Sequence, residues 1–335
     1  MFGSQKLIVI LVWIGLSLFL LSCKEKEGTE EPPAYCAACE PCERFYLPWS
    51  PIPYPVKQLP QQRYSPCFNP NNGNEFVYVD EDREAKTSML IKYNLLRQQQ
   101  VMLLSKGSVV GQPKWGKNGW IVFSNGTNIF KVRDNGDSLA QLTFEGINQN
   151  PEIFENNILF EYSGGLPGTA GIKIMDMDGN NRNTVTVNGT LRKNVVNGLG
   201  EIAGSLGSYR LATYHLTTKK QETFLANDTG YYQRIISDKC WHPNNTDIYF
   251  IAVPIGENDT TRLGINKINK HTQQETLIKN VCATRAYYYV SISPDGKKLL
   301  VERENVTLVE NYTRLVGSDI YIMDIDGRNE RKVFP

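Results

Sequence analysis

A two-part signature recurs about every 45 residues along this chain, and it is plainest between Ile292 and Lys332. There the turn Ile292-Ser293-Pro294-Asp295-Gly296 leads into the apolar run Leu299-Leu300-Val301. The strand-like Ile320-Tyr321-Ile322-Met323-Asp324 and a second turn, Ile325-Asp326-Gly327, follow. Short apolar runs joined by Gly, Asn and Asp turns at a fixed period of this size predict stacked or radial repeats of small β-units.

Earlier copies carry the same parts. Trp115-Gly116-Lys117-Asn118-Gly119 precedes Ile121-Val122-Phe123 and Asn128-Ile129-Phe130-Lys131-Val132. Ile153 precedes Ile158-Leu159-Phe160 and Ile172-Lys173-Ile174-Met175-Asp176-Met177-Asp178-Gly179. Phe68 and Trp241 open two further copies, followed by Phe76-Val77-Tyr78-Val79 and Ile248-Tyr249-Phe250-Ile251. A degenerate copy is placed by spacing around Val196, with Ile202-Ala203 and Leu211-Ala212-Thr213-Tyr214 as its second and third strands.

Anchors at Phe68, Trp115, Ile153, Val196, Trp241 and Ile292 lie 38 to 51 residues apart. Six four-stranded units therefore fit between residues 62 and 335. Such a unit cannot bury its own apolar faces, and closing six of them around an axis hides those faces and leaves few free edges. The expected fold is an all-β, six-bladed β-propeller of antiparallel blades. A β-sandwich with coincident spacing is the competing architecture, and long amphipathic helical patterns are absent. The turn with Ser-Pro-Asp-Gly, followed by the Ile-Tyr-x-Met-Asp-x-Asp-Gly strand and hairpin, resembles the TolB-type β-propeller repeat. That resemblance implies work through protein contacts in the cell envelope.

The first 61 residues have a different composition. Leu7 to Leu21 is apolar apart from Gly15 and Ser17, and Leu20-Leu21-Ser22-Cys23 closes it. A run of this length falls short of the roughly 20 residues a spanning helix needs and reads as a secretory signal over residues 1–22. Its end resembles the lipobox of bacterial lipoproteins, which implies acylation of Cys23. Lys24, rather than the Asp that resembles an inner-membrane retention signal, follows, so the outer membrane is the expected location. Residues 23–61 begin with Lys24-Glu25-Lys26-Glu27-Gly28-Thr29-Glu30-Glu31, a charged run suited to a tether, on the periplasmic face or the cell surface.

The chain has 36 basic and 35 acidic residues, and loss of Lys6 with the signal would make them equal. No global field draws it to nucleic acid. Apart from Cys23, six cysteines remain: Cys36, Cys39, Cys42, Cys67, Cys240 and Cys282. In an exported chain an even number favours disulfides, and the spacing of Cys36, Cys39 and Cys42 lacks the fourth ligand of an iron–sulfur pattern. A bridge from Cys240 to Cys282 would tie neighbouring repeats, and the N-terminal trio would clip to Cys67.

No catalytic motif stands out. The three histidines, His215, His242 and His271, fall in turns or at a strand end, and neither a nucleophile elbow nor a phosphate loop occurs. Asp176-x-Asp178-Gly179 and Asp324-x-Asp326-Gly327 place Gly where a hairpin, not an EF-hand, needs it. No cofactor or metal is expected.

A binding surface is expected on the face where long connections gather, residues 161–171, 254–263 and 302–318. The connections between repeats add Tyr231, Tyr232, Arg234, Arg285, Tyr287 and Tyr288, stiff aromatic area with polar tips and guanidinium groups. Tyr289, three residues before Ile292, falls in an inner strand. On this reading Tyr232→Ala or Tyr287→Ala abolishes ligand capture without moving the melting temperature. The expected function is a lipid-anchored scaffold binding an envelope protein or surface glycan. The alternative is a carbohydrate-active lyase or hydrolase using Asp, Glu, Tyr and Arg around the channel.

Overall fold

A computed structural model describes residues 56–106, 110–164, 170–187, 189, 191–206, 210–224, 234–254, 264–281, 285–308 and 314–334. A short strand β1 (Val56–Gln58) precedes six blades. Blade one comprises β2 (Gln61–Asn69), β3 (Asn72–Asp82), β4 (Thr87–Asn94) and β5 (Gln99–Lys106). Blade two comprises β6 (Val110–Trp115), β7 (Trp120–Asn125), β8 (Asn128–Arg133) and β9 (Ala140–Gln141). Blade three comprises β10 (Ile147–Phe154), β11 (Asn157–Ser163), β12 (Gly171–Asp176) and β13 (Asn183–Val185). Blade four comprises β14 (Leu191–Val196), β15 (Glu201–Leu206), β16 (Arg210–His215) and β17 (Gln221–Phe224). Blade five comprises β18 (Arg234–Trp241), β19 (Asp247–Pro254), β20 (Gly264–Asn269) and β21 (Glu275–Asn280). Blade six comprises β22 (Arg285–Ile292), β23 (Lys298–Leu308), β24 (Arg314–Asp324) and β25 (Arg331–Lys332).

Within each blade successive strands pair antiparallel in chain order, so the repeat read from the sequence is the repeat that folds. The anchors close the inner strands, and the degenerate fourth copy forms a full blade at the expected place. Six apolar clusters lie between the blades. One joins Val77, Val79 and Leu90 of blade one to Trp115, Ile121 and Phe123 of blade two. Another joins Tyr249, Ile251 and Ile265 of blade five to Val290, Leu299 and Val301 of blade six. The second strands are thus covered on both faces, which is why they read as continuous apolar runs rather than as alternation.

The Asp-Gly turns also serve blade packing. Gly296 has φ 72°. A Cβ there would stand 2.6 Å from Nε2 of His242 in blade five. Only glycine suits both the left-handed backbone and that approach.

Blade six is closed by both ends of the described chain. Its last strand β25 covers only part of β24, and β1 pairs in parallel with the remainder, Val56–Gln58 against Arg314–Val316. Leu59 N–H then donates to Val316 O at 2.8 Å. Phe334 enters the cluster shared by blades six and one, beside Phe76, Tyr78 and Tyr93. The Arg63 guanidinium lies 4.5 Å from the centre of its ring.

Residues 302–318, expected as a loop, are instead mostly the two arms of a long β-ribbon, paired from Lys298↔Asp324 to Leu308↔Arg314. Val306, Leu308, Leu315 and Val316 carry strand character past the blade, and the added length is the edge that receives β1.

Candidate functional site

Every inner strand carries a register shift a few residues before its anchor. A bulge of this kind bends the strand and redirects side chains. The third residue before each anchor is Ser65, Gln112, Asn150, Lys193, Asp238 or Tyr289, and all six line one cavity of about 30 Å³ on the propeller axis. That volume holds about one water. The ring draws one hydroxyl, two amides, one ammonium, one carboxylate and one phenol from six different blades.

Four of these residues sit in left-handed backbone: Ser65 (φ 53°), Gln112 (49°), Asn150 (51°) and Lys193 (50°). A non-glycine residue there costs on the order of 1–3 kcal/mol, and such strain concentrates where a side chain must be presented. Neighbouring blades pin the bulges. Asp238 Oδ2 accepts the Val290 N–H at 3.0 Å. Glu161 Oε1 accepts the Asn194 N–H at 3.3 Å, and Glu302 Oε2 accepts that of Ser65 at 3.3 Å. The buried Lys239 ammonium donates to Lys193 O at 2.7 Å. Burial pushes the Lys239 pKa down to about 8.

Two side-chain contacts link blades beside this cavity. Gln112 Nε2 donates to the Tyr289 hydroxyl at 3.3 Å, spanning blades two and six. One residue from the anchors, Lys114 Nζ lies 2.6 Å from Glu152 Oε1. Burial pushes the Lys114 pKa down, but the Glu152 and Asp238 carboxylates outweigh it and hold the ammonium charged. Cys67 and Cys240 occupy the same inner position in blades one and five and carry free thiols. Burial raises the pKa of both, which disfavours the reactive thiolate.

None of the ring residues stood out in the sequence except Tyr289, which the spacing put in the inner strand. The available signal was proline. Pro66, Pro113 and Pro151 each stand two residues before an anchor. A residue without an N–H inside a strand marks a bulge.

The expected Tyr and Arg surface is corrected in two of its members. Strand β22 begins at Arg285, earlier than the anchor spacing implied, so alternation turns Tyr287 inward. Tyr287 is fully buried between blades five and six, with its hydroxyl donating to Glu330 Oε1 at 3.0 Å. Arg285 is also buried. Tyr288 remains half-buried, with its hydroxyl 3.4 Å from Glu304 Oε1. The backbone of Arg234 opens β18, while Tyr231 and Tyr232 lie outside the described residues, as do Cys23, Cys36, Cys39, Cys42 and Cys282. Tyr287→Ala is accordingly expected to cost about 3–5 kcal/mol of stability, the range for deleting a buried aromatic. Chemical denaturation measures it.

His242 and His215 hold turns: Nδ1 of each accepts an N–H two residues on, from Asn244 and Thr217. Asp176 Oδ1 accepts the N–H groups of Asp178 and Asn180, the work of a hairpin turn.

No protein-family model matches the chain, and no curated protein matches it. Solved structures do. A structure described as TolB from Agrobacterium tumefaciens aligns with a TM-score of 0.59 at 14% identity, over 74% of this chain and 88% of the other. TolB from Acinetobacter baumannii aligns at 0.56 and 16% identity, over 81% and 62%. Oligogalacturonate lyase from Vibrio parahaemolyticus aligns at 0.52 and 11% identity, over 82% and 78%. The chain is a six-bladed propeller of the TolB type in its fold. At these identities the likeness is one of fold, and the same fold houses a lyase.

Proposed function

We propose that this protein is a lipid-anchored binding module of the bacterial cell envelope, held at the outer membrane through Cys23, that captures a protein partner at the mouth of its propeller channel. The observation that carries the reading is the ring of Ser65, Gln112, Asn150, Lys193, Asp238 and Tyr289, drawn from all six blades onto one cavity and strained at four positions. Backbone strain at positions that present mixed donors and acceptors fits recognition. The lipobox-like Leu20-Leu21-Ser22-Cys23 supports the anchor, and the TolB structures support an envelope role.

A carbohydrate-active lyase or hydrolase is the second reading, favoured by three carboxyls near the mouth whose pKa burial raises, Glu152, Glu161 and Glu302. Each is already engaged, Glu152 with Lys114 and the other two with the bulges of adjacent blades. Such engagement favours binding over catalysis.

A photocrosslinking residue at Gln112 or Lys193, activated on intact cells, tests the proposal. One defined envelope protein captured from both positions, and not from the exposed turn residue Asp326, is the expected result. Equal capture from Asp326, or turnover of an envelope polysaccharide with no captured protein, would overturn it. Lys193→Glu is expected to reduce capture at least tenfold with an unchanged melting temperature, since the Lys193 side chain is exposed.

A further inference from the structure

A second cavity, of about 140 Å³, lies in the crevice between blades three and four, lined by Ile147, Gln149, Glu161, Ser163, Leu191 and Arg192 among others. Its walls follow from strand register. Ile147 stands opposite Ser163, and Gln149 opposite Glu161, across β10 and β11. Residues directly opposite share a face of an antiparallel pair, as do residues two apart along a strand, so these four side chains lie on one face. Leu159, two residues before Glu161, packs with Leu191 and Ile202 of blade four, which makes this the face turned towards that blade. Leu191, 2% exposed, forms an apolar floor, and Ile147, 42% exposed, an apolar lip. Gln149 is exposed, so the cavity opens to solvent.

The crevice is braced. Glu161 Oε1 accepts from both the backbone N–H and the side-chain Nδ2 of Asn194, each at 3.3 Å, which joins β11 to β14. Asn194 Nδ2 also donates to Leu191 O at 3.3 Å and so fixes the floor. Walls set in advance spare a ligand the cost of ordering them. Gln149 and Ser163 differ from Glu161: among the described residues no hydrogen bond engages either side chain.

Volume and polarity together select a ligand. A cavity of about 150 Å³ holds one benzene, so this one suits a single six-membered ring. A phenyl or phenol ring carries at most one polar atom and would leave the Gln149 amide or the Ser163 hydroxyl unpaired beneath it, at a cost in affinity. A pyranose ring of the same width carries hydroxyls around its rim, each both donor and acceptor, and C–H faces that suit Leu191 and Ile147. We propose that this crevice binds one hexopyranose unit of a glycan, with Leu191 and Ile147 against the ring and Gln149 and Ser163 on its hydroxyls. It uses none of the six residues of the bulge ring and involves no catalytic step, so it stands or falls apart from partner capture there.

The test uses the full chain in micelles of a detergent without a sugar headgroup. Methyl pyranosides of glucose, galactose, mannose and N-acetylglucosamine are titrated and followed by saturation-transfer NMR. At least one is expected to bind with a Kd on the order of 1 mM, as suits a ligand of this size. Ala170 also lines the cavity and is exposed. Ala170→Trp is expected to abolish the transfer with an unchanged melting temperature, and Gln149→Ala to weaken binding at least tenfold. Displacement of the bound glycoside by purified surface polysaccharide, or by glycopeptides released from envelope proteins, identifies which source bears the ring, and either supports the site. No transfer from any of these glycosides at about 10 mM, roughly tenfold above that Kd, would overturn the proposal. So would equal binding to Ala170→Trp, or tighter binding of p-cresol than of every glycoside, which would mark the crevice as a pocket for an aromatic side chain of a protein.

Discussion

Phe334→Ala is expected to lower the unfolding free energy by about 3–5 kcal/mol, the range for deleting a buried aromatic. Phe334 is 6% exposed. Its ring lies 4.9 Å from that of Tyr93, 5.0 Å from Tyr78 and 6.4 Å from Phe76, each distance between centroids. Aromatic pairs at such separations add about 0.5–1.5 kcal/mol beyond the area they bury. Position makes the loss larger still. The ring of blades has one seam without a continuous strand connection, and Phe334 fills it from the C-terminal side while β1 covers it from the other. A shift of the urea midpoint without a change of slope would show lost stability alone, and a changed slope would show partial opening of the native ring. Phe144→Ala provides the control, because Phe144 is 70% exposed and its removal should move the midpoint little.

How far such features could be read beforehand depends on whether they leave a periodic trace. Second strands such as Phe76–Val79 and Leu299–Val301 are buried on both faces, so their apolar runs marked five of the six blades, and the anchors fixed the count. The weak fourth copy was found because its neighbours had set the spacing. Ring closure left no such trace. Val56–Gln58 is three residues long, and its parallel pairing with β24 depends on a partner about 260 residues away in sequence. The cavity-lining ring was hidden for another reason. A bulge breaks the period-two alternation at the very place where Gln112 or Asn150 turns to the channel, so polar residues there resemble ordinary strand or loop positions. Tyr287 shows the converse error. An aromatic near a connection looks like surface until the strand start is known, and a shift of one residue turns it into the core.

The same channel supplies the second large effect. Glu152→Gln is expected to cost about 3 kcal/mol, because it removes the nearest counter-charge of a cation whose side chain is only 26% exposed. Lys114 would then rely on Asp238, which already accepts the Val290 N–H. Replacing both members, Lys114→Met with Glu152→Leu, is expected to restore most of the loss, since a matched apolar pair avoids the desolvation that the ion pair incurs. Guanidinium denaturation of the two proteins separates the possibilities. A cost below about 1 kcal/mol for Glu152→Gln would mean that water screens Lys114, and the pair would then be a weak link between blades two and three. Recovery in the double variant would carry a functional consequence as well. If an apolar pair joins blades two and three equally well, their linkage at this point is separable from charge. On the proposed reading, partner capture at Gln112 and Lys193 should then persist in the double variant, because the Lys114 and Glu152 charges are satisfied by each other.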